Sequence, residues 1–174
     1  GPPAERGVRR VDVAGRILAP GLIDVHVHGA LGYDTMDATP AALREMAAYY
    51  ARHGVTGFLA TTVTAPLDEM CAALDTIAGV MAADAAGGRP AGARLLGAHV
   101  EGPYLDPERL GAQDPRHVLR PAPQEFRRLL RPGVTRLLTL APEAPGNADL
   151  IAHAYQQGIV VSAGHTRATY EEME

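Results

Sequence analysis

The sequence predicts an α/β fold, a parallel sheet covered by helices and made of the first five or so β/α units of a TIM-like (β/α)8 barrel. Three observations carry this. Strand signals and helix signals alternate along all 174 residues. The strand runs are apolar throughout rather than alternating, as in strands covered on both faces. Each helix run is closed by a glycine or proline before the next strand begins.

The first strand is Gly21–Gly29, which ends on its glycine. Thr39-Pro40 then starts a helix, with threonine as N-cap and proline at the first position. Leu43, Met46, Ala47 and Tyr50 form its apolar stripe, and Gly54 stops it. A second strand covers Gly57–Thr64, and Pro66 opens a helix that runs to about Ala82. Asp84–Ala93 is a loop of small residues. The third strand is Arg94–Glu101. Gly102–Pro121 is longer than an ordinary connection and is a candidate functional loop. A helix follows over about Pro123–Leu130, then a fourth strand over Val134–Leu140. Asn147 reads as the cap of a helix with the stripe Leu150, Ile151, Ala154 and Tyr155. The fifth strand is Ile159–His165, and Thr169 with Glu172 fits a capping box for one more helix.

Five units are too few to close a barrel of eight. The chain also stops inside its last helix, so residues 21–174 read as a partial barrel, truncated before strands six to eight. Residues 1–20 read as the end of a small β module and a linker, with two short strands around Ala14-Gly15. Gly1-Pro2-Pro3 reads as a linker or a tag remnant.

Composition narrows the function. The chain is 47% hydrophobic and 21% charged, with a net charge of −4 and no basic block, which argues against nucleic acid as a partner. No apolar run reaches the ~20 residues of a membrane span. One cysteine, Cys71, excludes an internal disulfide and fits a reducing, cytoplasmic compartment; its helical spacing with Leu67, Met70 and Leu74 makes it core filler. All 16 basic residues are arginine. Within this segment that excludes a Schiff-base lysine, a P-loop lysine and a carboxylated-lysine metal bridge.

Chemistry-bearing residues fall at strand ends, where a (β/α) barrel gathers its function. His26 and His28 lie two apart on the first strand and so project to one face. Alone, the pair also fits two ordinary histidines, one of them in the core. Glu101 ends the third strand and His165 ends the fifth. Four ligand-type residues on three strand ends, each beside glycine, form a set suited to zinc or a similar divalent ion. Glu101 is the strand-end carboxylate placed to bridge two ions. His99 faces the same interior one layer deeper, as a satisfied core histidine or a partner of a ligand. Asp24 also points inward, either to hold a ligand or as a structural group. Asp34, Asp37 and Asp106 lie on loops and read as solvated, with Asp34 within possible reach of the site. His53, His117 and His153 read as surface or structural residues.

Pro20–Gly29 resembles the opening barrel strand of the amidohydrolase superfamily. Leu96–Leu105, with its Glu-Gly-Pro, and Val160–Thr166, with its Ala-Gly-His-Thr, are similar to signatures of the N-acetylglucosamine-6-phosphate deacetylase family, as is Thr139–Glu143. The resemblance runs from about Asp12 to the last residue. It implies that Glu101 and His165 bind a metal together with a histidine from a sixth strand. His26 and His28 would hold a second ion in members that have one. The implied cofactor is one or two divalent ions per chain, zinc or iron. The implied reaction is hydrolysis of the acetamido group to acetate and a free amino sugar phosphate, with an eighth-strand aspartate as general base. Both the sixth-strand histidine and that aspartate would lie beyond Glu174, so no catalytic acid–base residue is assigned here and the segment alone is expected to be inactive. Relatives commonly carry Gly-x-His-[Asn/Asp]-Pro after Glu-Gly-Pro; here the stretch is Gly111-Ala112-Gln113-Asp114-Pro115, which puts Ala112 and Gln113 against the substrate. Gln113 donates a neutral hydrogen bond where a histidine can carry charge. The expected partners are a small-molecule amino sugar phosphate and a second copy of the chain in a homodimer.

Other readings compete. One is an amidohydrolase acting on a related N-acyl amino sugar. Another is a cyclic-amide hydrolase or a deaminase, of which the lysine-bridged kind is excluded by composition. A third is a non-catalytic barrel homologue that acts as a binding scaffold.

Overall fold

The computed structural model describes residues 11–87 and 92–173. Five strands form one parallel sheet in the order β1 (Leu22–Val27), β4 (Val55–Thr61), β5 (Arg94–Glu101), β6 (Thr135–Leu140) and β7 (Val160–Ala163). Two-residue strands β2 (Gly29–Ala30) and β3 (Tyr33–Asp34) make a small hairpin after β1. Leu31 and Gly32 turn it with φ of 58° and 83°, the two positive φ values that a tight hairpin of this hand requires.

The helices are α1 (Pro40–Arg52), α2 (Leu67–Ala85), α3 (Pro123–Leu129), α4 (Asn147–Gln156) and α5 (Tyr170–Met173). Thr39 caps α1 through its side chain, which accepts from the Ala42 N–H at 3.2 Å. The α1 stripe of Leu43, Met46, Ala47 and Tyr50 is buried, as its spacing predicts. It joins Phe58, Ala60, Leu95, Ala98, Val100, Leu138 and Leu140 in one core with Met70, Leu74 and Ile77 of α2. Cys71 is buried in that core as a free thiol.

The opposite face of the sheet is the inner one. Gly97, His99 and Glu101 alternate along β5 toward it. Gly97 adopts φ +148° beside a register shift between Phe58 and Leu59, and a Cβ there would lie 2.5 Å from the Val134 carbonyl oxygen. That irregularity sets which face His99 and Glu101 take.

Several expectations are corrected. The border strands are not covered on both faces: Leu22, Ile23 and Val25 of β1 are 65%, 63% and 50% exposed, and Val160 of β7 is exposed too, because each border strand has a neighbour on one side only. Residues 11–20 form no strand; Ala14-Gly15 is a turn in which the Ala14 N–H donates to Asp12, and residues 1–10 lie outside the described ones. β4 ends at Thr61, three residues early, and the Thr62 N–H to His99 carbonyl bond is its last ladder bond to β5. α2 continues to Ala85, where Asp84 pairs with Arg44 at 2.6 Å. Of the loop expected over Asp84–Ala93, residues 88–91 lie outside the described ones. Asn147 is not the cap of α4; Gly146 holds that place, and the Asn147 amide turns inward to donate to the Tyr104 and Ala141 carbonyls at 3.0 and 2.7 Å. Tyr155 leaves its stripe and is exposed. The box at α5 forms as expected, with the Thr169 N–H donating to Glu172 at 2.8 Å.

Candidate metal centre

Glu101 is the common point of the site. It ends the middle strand of the sheet and its side chain is 7% exposed. Oε2 lies 3.2 Å from His28 Nε2; Oε1 lies 3.2 Å from His165 Nε2 and 3.7 Å from His26 Nε2. One donor atom each from His26, His28 and Glu101 falls within 4.8 Å of the others. His165 joins this group through Glu101. The four residues singled out at strand ends are therefore brought together.

The histidines are held by their other nitrogens. His28 Nδ1 is 3.2 Å from the Thr61 carbonyl and His165 Nδ1 is 2.9 Å from the Arg109 carbonyl. A carbonyl only accepts, so each Nδ1 carries the hydrogen and each Nε2 is left to face Glu101. Below them His99 is buried, with Nδ1 on the Val25 carbonyl at 3.1 Å and Nε2 on the Thr139 hydroxyl at 2.7 Å. Burial, helped by the neighbouring His26 ring 4.9 Å away, lowers its pKa to about 4. His99 is thus a neutral, satisfied residue beneath the site.

Glu101 is an anion. Burial alone would raise its pKa, but the His28 and His165 imidazoles in contact with it and the nearby His26 hold it at about 2. The His28 pKa is raised in turn, chiefly by its bond to Glu101, against burial, which lowers it. A buried carboxylate ringed by Nε2 atoms with fixed tautomers is a donor set that fits a divalent ion of the zinc class.

The remaining expected residues are near but differ in role. Asp24 accepts from the His26 backbone N–H at 3.1 Å and holds the strand rather than an imidazole. Asp34 caps the short 3-10 turn Thr35–Asp37 and contributes to raising the His28 pKa. Gln113 is buried and donates to Glu101 Oε2 at 2.6 Å; Ala112 beside it is exposed.

Asp106 is a correction. It is not solvated but 3% exposed. Its carboxylate accepts from the Glu108 N–H at 2.8 Å and from Arg167 Nε, and its own N–H donates to the His165 carbonyl at 3.0 Å. The Glu108 N–H foremost, then Arg167, lowers its pKa. Glu143 completes the tie, accepting from Thr166 Oγ1 at 2.5 Å and the Arg167 N–H at 2.7 Å. Together these contacts hold His165 at φ +51°, a conformation that a β-carbon resists. Charge in a loop signals solvent by default; the signal for burial was the acidic residue three after Pro103 in a long connection, and it was too weak to read alone.

Residues 17–174 match the Amidohydrolase family. N-acetylglucosamine-6-phosphate deacetylase of Bacillus subtilis is 40% identical over 158 residues, covering 89% of this chain and 39% of that protein. N-acetylgalactosamine-6-phosphate deacetylase of Escherichia coli O157:H7 is also 40% identical, over 90% of this chain and 41% of its own length. The crystal structure of the deacetylase from Thermotoga maritima superposes with a TM-score of 0.76 at 36% identity, over 88% of this chain and 39% of that one. The chain thus spans about two fifths of the length of these relatives. With the family match over nearly its whole length and a strand-end histidine–glutamate cluster on a parallel α/β sheet, the chain belongs to the amidohydrolase family.

Proposed function

We propose that the protein carrying this chain is a metal-dependent deacetylase that hydrolyses N-acetylglucosamine 6-phosphate to glucosamine 6-phosphate and acetate. The observation that carries this reading is Glu101, an anionic carboxylate contacted at once by His28 and His165 and approached by His26. His26, His28, Glu101 and His165 would hold one or two divalent ions, zinc or iron. A bound ion supplies a Lewis acid for the amide carbonyl and lowers the pKa of water toward ~7. The chain's own residues orient the site: Thr61 and Arg109 fix the ring nitrogens through their carbonyls, and buried His99, bonded to Thr139, forms the layer beneath. Ala112 and Gln113 would border the acetamido group, and the second amide hydrogen of Gln113 is free in chemical principle to reach its oxygen.

The same reading includes a cytoplasmic homodimer, with residues 21–174 forming part of the barrel. Among the described residues no helix is long and apolar enough to cross a membrane. A second substrate is favoured by the equal 40% identity to the galactosamine-phosphate enzyme. Acetate release from both sugar phosphates by the intact protein, with and without a chelator, tests the proposal. Release from N-acetylglucosamine 6-phosphate that disappears on chelation and returns with zinc or iron is the expected result. Preference for the galactosamine compound would move the substrate but keep the reaction, and release indifferent to chelation would overturn the metal mechanism.

A further inference from the structure

Gln113 reaches the site from the long connection after β5, and both ends of its amide are engaged. Nε2 donates to Glu101 Oε2 at 2.6 Å, and Oε1 accepts from the Thr64 backbone N–H at 2.6 Å. A backbone N–H only donates, so Thr64 fixes which end of the amide is oxygen and directs the NH2 group at Glu101. The side chain is 7% exposed, so water does not compete for these bonds.

This matters for the carboxylate. The terminal torsion of a glutamate is broad and roughly two-fold, so packing alone does not set the plane of its oxygens. Here the plane is set: Oε1 faces His165 and His26, and Oε2 faces His28 and Gln113. The histidines are candidate ligands themselves and share their contacts with any ion that enters. Gln113 is tied instead to the Thr64 backbone, three residues past β4, which no ion displaces.

We propose that Gln113 is a positioning residue, which clamps the plane of the Glu101 carboxylate from Thr64 so that its two oxygens are presented to a divalent ion in a fixed orientation. The inference rests on the metal-centre reading above. It assigns Gln113 a role through Glu101 in addition to any contact with substrate.

The test uses the intact protein stripped of metal and titrated with Co2+ alone, as wild type, Gln113→Leu and Gln113→Asn. Leucine removes both amide bonds at similar size; asparagine keeps the amide but falls short by one methylene. Loss of a group that orients a ligand weakens metal binding by about 10–100-fold. The expected result is a fall of that order in Co2+ affinity for both variants, with an altered visible ligand-field spectrum and unchanged far-ultraviolet circular dichroism. Should the leucine variant not fold, the asparagine variant decides. Wild-type affinity and spectrum in the folded variants would overturn the clamp. A wild type that takes up no Co2+ would overturn the metal centre and the clamp together. Absence of acetate release from a wild type that does bind Co2+ would overturn the deacetylase reading alone, and the Co2+ data would still decide the role of Gln113.

Discussion

His99 Nε2 accepts a 2.7 Å hydrogen bond from the Thr139 hydroxyl, which joins β5 to β6 one layer beneath Glu101. With Nδ1 donating to Val25 of β1, the ring spans three strands and uses both nitrogens in its neutral form.

That neutrality predicts a pH dependence. His99 has a pKa of about 4 in the folded protein against 6.5 ordinarily, so below pH 6.5 the unfolded chain binds a proton that the folded one does not. Stability is complete above that range and is lost as pH falls toward 4, by up to about 3 kcal/mol. His28, with its raised pKa, acts in the opposite sense. Denaturant midpoints of metal-free wild type and His99→Leu between pH 7 and 4.5 should converge as pH falls; parallel curves would show that His99 titrates normally.

Glu101→Ala should abolish ion binding. The carboxylate touches all three histidines, so its removal should cost more than the ~100-fold seen when only a supporting partner is lost. Elemental analysis after dialysis against chelator reads this directly, and a variant with wild-type metal content would contradict it. In the wild type, ion uptake should weaken on acidification from above the ordinary histidine range, because a proton competes for His28 Nε2 at raised pKa.

Asp106→Ala should loosen His165. It removes the carboxylate that accepts from Arg167 and Glu108 and organises the turn whose Arg109 carbonyl orients the imidazole. Ion affinity should drop by about tenfold with a lower melting temperature. Arg167→Ala should show the same direction to a smaller extent, since the Glu108 N–H remains. An Asp106→Ala protein with unchanged affinity would make the network irrelevant to the centre.

Gly97→Ala should destabilise by about 1–3 kcal/mol. The added Cβ would meet the Val134 carbonyl at 2.5 Å in a backbone conformation at φ +148°. Chemical denaturation measures it, and an unchanged midpoint would mean that β5 shifts freely at this point.

The strands and helices were legible where periodicity is local. Arg94–Glu101 and the Thr39-Pro40 start of α1 agree with the sequence to the residue. The four strand-end candidates meet because a parallel sheet places strand ends at one level. What escaped lies in irregular backbone. Gln113 and Glu101 are 12 residues apart across a loop with no period to carry them toward each other. Asp106 follows the same rule, as its burial depends on Arg167, 61 residues away. The exposure of Ile23 and Val25 escaped for another reason: an apolar run does not reveal whether its strand is central or at a border.

The cluster draws on β1, β5 and the residue just past β7, which are the first, third and fifth strands of the sheet. Neither β4 nor β6 supplies a candidate ligand, yet both lie between those that do. A strand that slipped by two residues would keep its inward face and look equally well packed, but it would carry its histidine about 6.6 Å along the sheet. That is twice the 3.2 Å that separates His165 from Glu101. The centre therefore works as a vernier for strand registry, closing only when all four pairings are in step. An ion captured there would favour correctly registered chains by mass action and so proofread the fold.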